Sequence, residues 1–122
     1  ELLVNEVAPR VHNSGHLSIE GTVTSQFDQH LRAILDLPLG DTEIIKPSVM
    51  VNLTGEEGHT GPVRYEGIED LMEMPGVYIH LYGKAETRPF RKMGHVTITD
   101  ETLTGARDKA KKVKDTIKVV SQ

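Results

Sequence analysis

The period of the hydrophobic pattern changes along the chain, and this change limits the folds it can adopt. Aliphatic residues occupy every second position in three short runs, which are Val49–Leu53, Val77–Leu81 and Val96–Ile98. Alternation with a period of two predicts β-strands. Near the end of the chain the apolar residues step by three and four instead, at Leu103, Ala106, Ala110, Val113 and Ile117. The sequence therefore predicts a small α+β fold with a C-terminal helix packed on strands.

A second helix is predicted to begin after Ser25. Ser25 and Asp28 have the spacing of a capping box, with Asp in place of the usual Glu or Gln. The apolar residues that follow recur at the spacing of one helix face, and they are Phe27, Leu31, Ile34 and Leu35. Pro38 and Gly40 are expected to end this helix.

Glycine and proline mark the connections in the second half of the chain. Residues 55–62 contain three glycines and one proline, which predicts a loop. A shorter apolar pattern predicts a brief helix around Ile68–Met72. Asp100 is expected to cap the final helix, whose lysines are interpreted as a solvated face.

The first residues are expected to belong to a larger domain. Residues 1–7 are mostly apolar and predict a strand that Pro9 ends. Because a strand needs neighbours on its sides, and because the chain opens without Met, it is expected to be the C-terminal part of a longer protein. The boundary between a first unit at residues 1–40 and a second unit at residues 41–122 is expected near Pro38–Pro47.

Composition and charge exclude several classes of protein. The 122 residues carry a net charge of −4, which argues against a general nucleic-acid partner. The sequence has no Cys, so it cannot form a disulfide scaffold or a thiolate zinc site. No apolar run approaches the roughly 20 residues that a bilayer span needs, so no membrane partner is expected.

Asn5–His16 is the segment richest in chemically useful side chains. If a strand ends there, the Asn5 amide and the Glu6 carboxylate can converge on a hard cation such as Mg²⁺. Arg10 offers a planar fork for a carboxylate, bicarbonate or phosphate. The alternative for Glu6 and Arg10 is an ordinary ion pair on the surface.

The histidines of the same segment allow more than one reading. His12, His16 and Glu20 are spaced by four, which on a helix would favour zinc. Asn13 and Gly15 oppose a helix here and indicate turns. Hydrogen bonding to a polar ligand is the better functional interpretation, and a packed, hydrogen-bonded loop is the structural alternative.

A second cluster lies in a segment that glycine and proline shape into a loop. Four cations fall within nine residues, and they are Lys84, Arg88, Arg91 and Lys92. Such a cluster could bind a phosphate monoester. The alternative is a solvated basic hairpin that balances nearby acids.

These segments resemble one family. Asn5–His16, Ser25–Ile34, Pro47–Leu53, Lys84–Lys92 and Gly94–Val96 are similar to segments in the C-terminal third of the carboxyaminoimidazole ribonucleotide synthetases. These are ATP-grasp ligases of purine biosynthesis, also called the ATPase subunit of phosphoribosylaminoimidazole carboxylase. The resemblance covers nearly the whole chain. The related formate-dependent glycinamide ribonucleotide transformylases have a different His-Asp-Thr-Gly sequence at the end of the first segment.

The resemblance implies both a fold and a reaction. The fold is the end of an ATP-grasp domain, followed by a small mixed β module with a C-terminal helix. In the reaction, ATP phosphorylates bicarbonate to carboxyphosphate, and the amine of aminoimidazole ribonucleotide attacks that species or the CO₂ it releases. The whole enzyme is expected to be a cytoplasmic homodimer, and the N-terminal domains that this chain lacks would complete its site.

The resemblance also assigns roles to residues. Glu6 would ligate Mg²⁺ between the ATP phosphates, with Asn5 beside it. Arg10 and His12 are the expected catalytic residues, because Arg10 would hold bicarbonate and carboxyphosphate. The remaining substrate-binding residues are His12, Asn13 and Gly15 against the nucleotide, and Lys84, Arg88, Arg91 and Lys92 on its 5′-phosphate.

The missing ATP-binding residues lead to a further expectation. The chain alone is expected to be inactive, because the residues that would hold adenine and the phosphates lie outside it. A non-catalytic structural or oligomerisation module is the alternative, as is the matching part of another ATP-grasp ligase such as the glycinamide ribonucleotide transformylase.

Overall fold

The computed structural model describes residues 2–122, which contain two antiparallel sheets, four helices and a 3₁₀ turn. The helices are α1 (Ser18–Gly21), α2 (Gln26–Ile34), α3 (Ile68–Met72) and α4 (Leu103–Thr116), and the 3₁₀ turn is Asn13–Gly15. The strands are β1 (Ser48–Thr54), β2 (Gly61–Glu66), β3 (Val77–Leu81), β4 (Glu86–Thr87), β5 (Lys92–Thr99) and β6 (Lys118–Ser121). None of the helices in this part of the chain is long and apolar enough to cross a membrane.

The first sheet has the strand order β1-β5-β3 and carries the core. Val96 of β5 pairs with Val51 on one side and with Ile79 on the other. The inward side chains pack with α4, whose Val113 is fully buried. The three predicted strands and the predicted C-terminal helix are confirmed.

Strand β5 is longer than its apolar pattern indicates. It runs over eight residues and is buried from Met93 to Thr99, because strands flank both of its edges. Since side chains alternate along a strand, His95 and Thr97 lie on the face opposite Val96 and Ile98. Helix α1 contacts β5, so the segment that precedes α2 helps to cover this polar side.

The second sheet, in the order β4-β2-β6, has no counterpart in the sequence prediction. Strand β2 pairs with β6 in the register Val63↔Ser121 and Tyr65↔Val119. Strand β6 follows α4 directly, and its two neighbouring valines are both buried, so it shows no alternation. Short strands without a regular period escape pattern recognition.

The cap of α4 is Thr102, so the prediction of Asp100 is wrong by two residues. The Thr102 hydroxyl accepts the Gly105 N–H at 3.0 Å. The Asp100 carboxylate instead accepts the Glu101 N–H at 2.7 Å and pairs with Lys109 at 2.7 Å. Asp100 is still hydrogen-bonded to the start of β1, so the chain needs two more residues to turn into the helix.

Helix α2 begins as predicted but ends at Ile34, before Pro38, and most of its apolar face is not covered within residues 2–122. The Ser25 hydroxyl accepts the Asp28 N–H at 3.1 Å, which is half of the predicted capping box. Leu31, Ile34 and Leu35 are each more than half exposed. The apolar pattern therefore identified the helix correctly, although these side chains do not pack into a core of residues 2–122.

The predicted strand at the start of the chain is wrong for residues 2–7. These residues belong to no strand, and Leu2, Leu3, Val4 and Val7 are almost fully exposed. No strand of residues 2–122 runs alongside them, so the ladder of hydrogen bonds that defines a strand cannot form. Residue 1 lies outside the described residues.

Candidate functional site

Three histidine rings stack between the loop before α1 and the first sheet. His80 and His95 face each other in the β3–β5 register, with ring centroids 4.4 Å apart. His16 from the loop stacks on the other face of His95 at 4.3 Å. We call His16, His80 and His95 the histidine column. It joins a loop early in the chain to two strands that lie more than sixty residues later.

Hydrogen bonds hold both ends of the histidine column. The Tyr82 hydroxyl lies 3.1 Å from His16 Nδ1 and 3.0 Å from His95 Nδ1. At the other end, Glu20 Oε1 lies 2.6 Å from His80 Nε2. The loop is thus attached to the sheet by polar contacts on two sides.

Burial keeps two rings of the column uncharged at neutral pH. Burial, with smaller contributions from the neighbouring His16 and His80, lowers the pKa of His95 to about 4. Burial also lowers the pKa of His16, with additional repulsion from His80, Lys92 and His12. The column is therefore a stack of aromatic rings in which His16 and His95 each carry a single proton.

His12 and Gly15 are held against the start of α2. The His12 ring accepts the Ser14 N–H at 3.3 Å, and the His12 N–H donates to Gln26 Oε1 at 3.1 Å. A Cβ on Gly15 would lie only 2.0 Å from that same Gln26 oxygen, so a larger residue here would displace the Gln26 side chain from its bond to His12. Asn13 begins the 3₁₀ turn between them. The turn residues that oppose a long helix here thus produce a tight 3₁₀ turn.

The other predicted residues of this segment are less fixed. Asn5, Glu6 and Arg10 are exposed. Arg10 Nη1 donates to the neighbouring carbonyl of Val11 at 3.0 Å, and no ion pair joins Glu6 to Arg10 in the part of the chain that the structure describes. Nothing in residues 2–122 ties these three side chains to the histidine column.

The basic segment, Lys84–Lys92, begins two residues after Tyr82. Lys84 Nζ donates to the carbonyl of Lys92 at 2.5 Å and lies 5.7 Å from the centre of the Tyr82 ring. Because Lys92 is close enough to His16 to lower its pKa, this end of the basic segment faces the loop. The structure therefore brings Lys84 and Lys92 to the same region as His12 and His16.

The two arginines of the basic segment lie further along it. Arg91 Nη1 donates to the carbonyl of Glu86 at 2.8 Å, which curls the segment. Arg88 is exposed, and its own carbonyl packs against Gly55, where a Cβ would lie 2.2 Å from it. Both guanidinium groups keep N–H donors for a ligand.

The donors in the described chain differ in how well they suit a metal. The spacing of His12, His16 and Glu20 does not produce a zinc site, because His16 bonds Tyr82 and Glu20 bonds His80. No group of three or more acidic or histidine side chains that could hold a metal occurs in residues 2–122. Glu6 and Asn5 together offer one carboxylate and one amide oxygen, a set that suits Mg²⁺ when phosphate and water supply the other ligands.

Sequence reasoning missed the histidine column and Tyr82. Taken alone, His80 on a predicted strand is more typical of a packing or surface residue than of a site. The available signal was that His80 lies on one predicted strand and His95 directly precedes another, while Tyr82 lies just past the end of the first of these. The register that pairs His80 with His95 is set by tertiary packing, so the sequence alone did not reveal their contact.

Comparison with known families identifies the class of protein. A model of the ATP-grasp domain matches residues 1–27. The model of the phosphoribosylaminoimidazole carboxylase C-terminal domain matches residues 48–109, which is just over half of the chain. The chain belongs to this phosphoribosylaminoimidazole carboxylase C-terminal domain family.

Particular relatives agree with this assignment. The N5-carboxyaminoimidazole ribonucleotide synthase of Synechococcus elongatus is 51% identical over 98 residues, which are 80% of this chain and 25% of that protein. The chain thus spans about a quarter of the length of this curated relative.

Solved structures show the same fold. The N5-carboxyaminoimidazole ribonucleotide synthetase of Thermotoga maritima matches with a TM-score of 0.97 and 56% identity, over 100% of this chain and 34% of that one. The Aspergillus clavatus N5-carboxyaminoimidazole synthase, in complex with ADP and 5-aminoimidazole ribonucleotide, matches with a TM-score of 0.74 and 42% identity. This match covers 87% of this chain and 28% of that one. The predicted α+β fold and family are confirmed.

Proposed function

We propose that this chain is the C-terminal part of an ATP-grasp ligase that carboxylates aminoimidazole ribonucleotide with bicarbonate. Membership of the family supports the proposal. The observation that carries it is the approach of His12 and Lys92 to His16, whose bonded partner Tyr82 lies under Lys84. A loop with turn-held imidazoles and a cationic segment from a distant part of the chain thus face one region, as binding of an anionic nucleotide requires.

The reaction has two transfers. The γ-phosphoryl group of ATP passes to an oxygen of bicarbonate, which forms ADP and carboxyphosphate. The exocyclic amine of the ribonucleotide then attacks the carboxyl carbon, or the CO₂ that carboxyphosphate releases, and phosphate departs while the amine loses a proton. Arg10 would hold bicarbonate and carboxyphosphate through its planar fork, where negative charge develops during the reaction.

The metal assignment rests on Glu6 and Asn5. Their oxygens are exposed, and no ion pair of residues 2–122 involves Glu6. We propose that they hold Mg²⁺ beside the ATP phosphates. When bound, Mg²⁺ would supply charge neutralisation for phosphoryl transfer.

The ribonucleotide would lie between the loop and the basic segment. Lys84, Arg88, Arg91 and Lys92 would bind its 5′-phosphate, because all four keep N–H donors beyond those already bonded within the chain. His12, Asn13 and the backbone of Gly15 would line the same pocket on the side of the base. The short 3₁₀ turn fixes their relative positions.

The assembly around the chain is part of the proposal. We propose that the enzyme acts in the cytoplasm as a homodimer and that its ATP-binding residues other than Asn5 and Glu6 come from outside residues 1–122. A non-catalytic module is the second candidate, and one observation favours it for residues 46–122. They bury an apolar core of their own without any residue of the first loop.

A chimeric enzyme would test this function. This chain would replace the matching third of the Thermotoga maritima synthetase, since the match covers all of this chain and 34% of that one. We expect phosphate release that depends on both bicarbonate and aminoimidazole ribonucleotide, whereas the chain alone should release none. Release by the chimera without the ribonucleotide, or clear turnover by the chain alone, would contradict the proposal.

Arg10→Ala in the chimera tests the role of Arg10. We expect kcat to fall by about a hundredfold or more while the KM for ATP changes much less, because the partner of Arg10 forms only during the reaction. Arg107→Ala is the matched control, since Arg107 is exposed on α4. Equal losses of kcat and of ATP affinity would argue against the assigned role.

A further inference from the structure

We propose that His16 is a further ligand-binding residue, which donates its Nε2–H to an anionic oxygen, and that Tyr82 and His95 are positioning residues that fix this tautomer. The inference deepens the proposed function and rests on it for the identity of the ligand. It follows from counting protons along the hydrogen bonds of the histidine column.

The count begins at His95, which carries one proton at neutral pH because burial lowers its pKa to about 4. Its Nδ1 lies 3.0 Å from the Tyr82 hydroxyl, whereas its Nε2 is buried and has no partner within residues 2–122. A proton on Nε2 would leave a buried N–H without an acceptor, which is rarer and more costly than an unpaired acceptor. The proton therefore lies on Nδ1, and His95 donates to Tyr82.

Tyr82 determines which atom is the donor in the next hydrogen bond, the one to the loop. Its hydroxyl has one hydrogen, and because the oxygen accepts from His95, that hydrogen must donate to the other neighbour. The neighbour is His16 Nδ1, at 3.1 Å. The single proton of neutral His16 consequently lies on Nε2. Two hydrogen bonds that start from a buried ring thus select the tautomer of a ring in the loop.

The ring of His16 is also fixed in orientation. It stacks on His95 at 4.3 Å on one side and on Phe27 at 5.4 Å, and Tyr82 meets it edge-on. Rotation of the ring would break both the stacking and the bond to Tyr82. The Nε2–H vector is therefore held in one direction before any ligand arrives.

The environment of His16 Nε2 indicates what it binds. This nitrogen has no hydrogen-bond partner within residues 2–122, and it is not among the buried unpaired atoms of that range, so a ligand can reach it. His12 and Lys92 are close enough to lower the pKa of His16, and Lys84 lies over the Tyr82 ring. A neutral N–H donor beside two lysines suits an oxygen of a phosphate or a carboxylate.

The tautomers can be read directly by ¹⁵N long-range correlation NMR of the labelled chain at pH 7. We expect His16 protonated on Nε2 and His95 protonated on Nδ1. Tyr82→Phe keeps the ring but removes the hydroxyl, so His16 should become a mixture of tautomers and its pKa should rise. Tyr78→Phe, on β3 but outside the column, should change neither. His16 protonated on Nδ1 in the unaltered chain would overturn the proposal, even if the variant failed to fold.

Titration with inorganic phosphate and, separately, with bicarbonate tests the ligand contact. We expect saturable movement of the His16 Nε2 resonance, with the affinity about fivefold to tenfold weaker in Tyr82→Phe, since one oriented hydrogen bond is lost. Movement with phosphate assigns the donor to the ribonucleotide phosphate, and movement with bicarbonate alone assigns it to the carboxylate species. No movement with either would overturn the contact. If the chimera carboxylates the ribonucleotide while the His16 resonance does not move, the ligand contact is wrong and the proposed function still holds.

Discussion

Residues 2–45 and residues 46–122 are held together in different ways. The second region buries an apolar core between the first sheet and α4, with Val96, Ile98 and Val113 fully enclosed. The first region leaves most of its large apolar side chains exposed, including those on α2. What joins the two near the candidate site is the histidine column, a set of polar and aromatic contacts. The difference shows that the site loop is positioned by hydrogen bonds whereas its scaffold is stabilised by burial.

Matched isoleucine substitutions should give the largest contrast. Ile98→Ala removes a fully buried side chain and should lower the free energy of unfolding by about 2 to 5 kcal/mol. Ile34→Ala removes a side chain that is 63% exposed and should change it by less than about 0.5 kcal/mol. Urea denaturation of both variants measures the two values. Equal losses would mean that the first region has a core of its own.

Acid should weaken the scaffold through His95. Its pKa is about 4 when folded and near 6.5 when unfolded, so the unfolded chain binds the proton more tightly. The stabilisation that neutral His95 provides is therefore fully present above about pH 6.5. The free energy of unfolding should fall by roughly 3 kcal/mol as the pH drops toward 4. Denaturation midpoints across this range should decline less steeply in His95→Gln. The same substitution at His30, on the exposed side of α2, should leave the decline unchanged.

Loss of the Glu20 contact should loosen the loop with a smaller effect on the scaffold. Glu20→Ala removes the acceptor of His80 Nε2, which should cost about 1 to 3 kcal/mol in local opening. Hydrogen exchange of the α1 amides should accelerate while the β5 amides keep their protection. Glu43→Ala, at an exposed carboxylate, is the control. Equal acceleration in β5 would show that loop and sheet open as one unit.

Local signals predicted much of the second region correctly. The alternating aliphatic runs found β1, β3 and the middle of β5, because each strand has one face in a core. Strand β6 was missed because it buries two adjacent valines and gives no alternation, whereas β2 was missed although Val63 and Tyr65 alternate with exposed residues. The N-cap of α4 was also misplaced, because the Asp100 backbone still bonds Pro47 and its side chain pairs with Lys109, so the helix begins two residues later.

The candidate site was only partly accessible to sequence reasoning. The residues of the loop and of the basic segment could be selected by type, and the structure brings both His12 and Lys92 close to His16. The predicted roles of these residues stay predictions, as does the division at Pro38–Pro47. The column itself depends on the cross-strand register of His80 with His95, which local patterns do not encode. The strand predicted for residues 1–7 failed for a similar reason, since a strand requires a neighbour.

Tyr82 has a practical consequence. The chain contains three tyrosines and no tryptophan, so its near-ultraviolet spectrum comes mainly from three phenols. Of these, Tyr82 alone touches two imidazoles through its hydroxyl in the described residues. A phenol that shares its hydrogen with an imidazole absorbs at a slightly longer wavelength than one that bonds water. The near-ultraviolet absorbance of Tyr82 should therefore show, without any label, whether the loop is bound to the sheet.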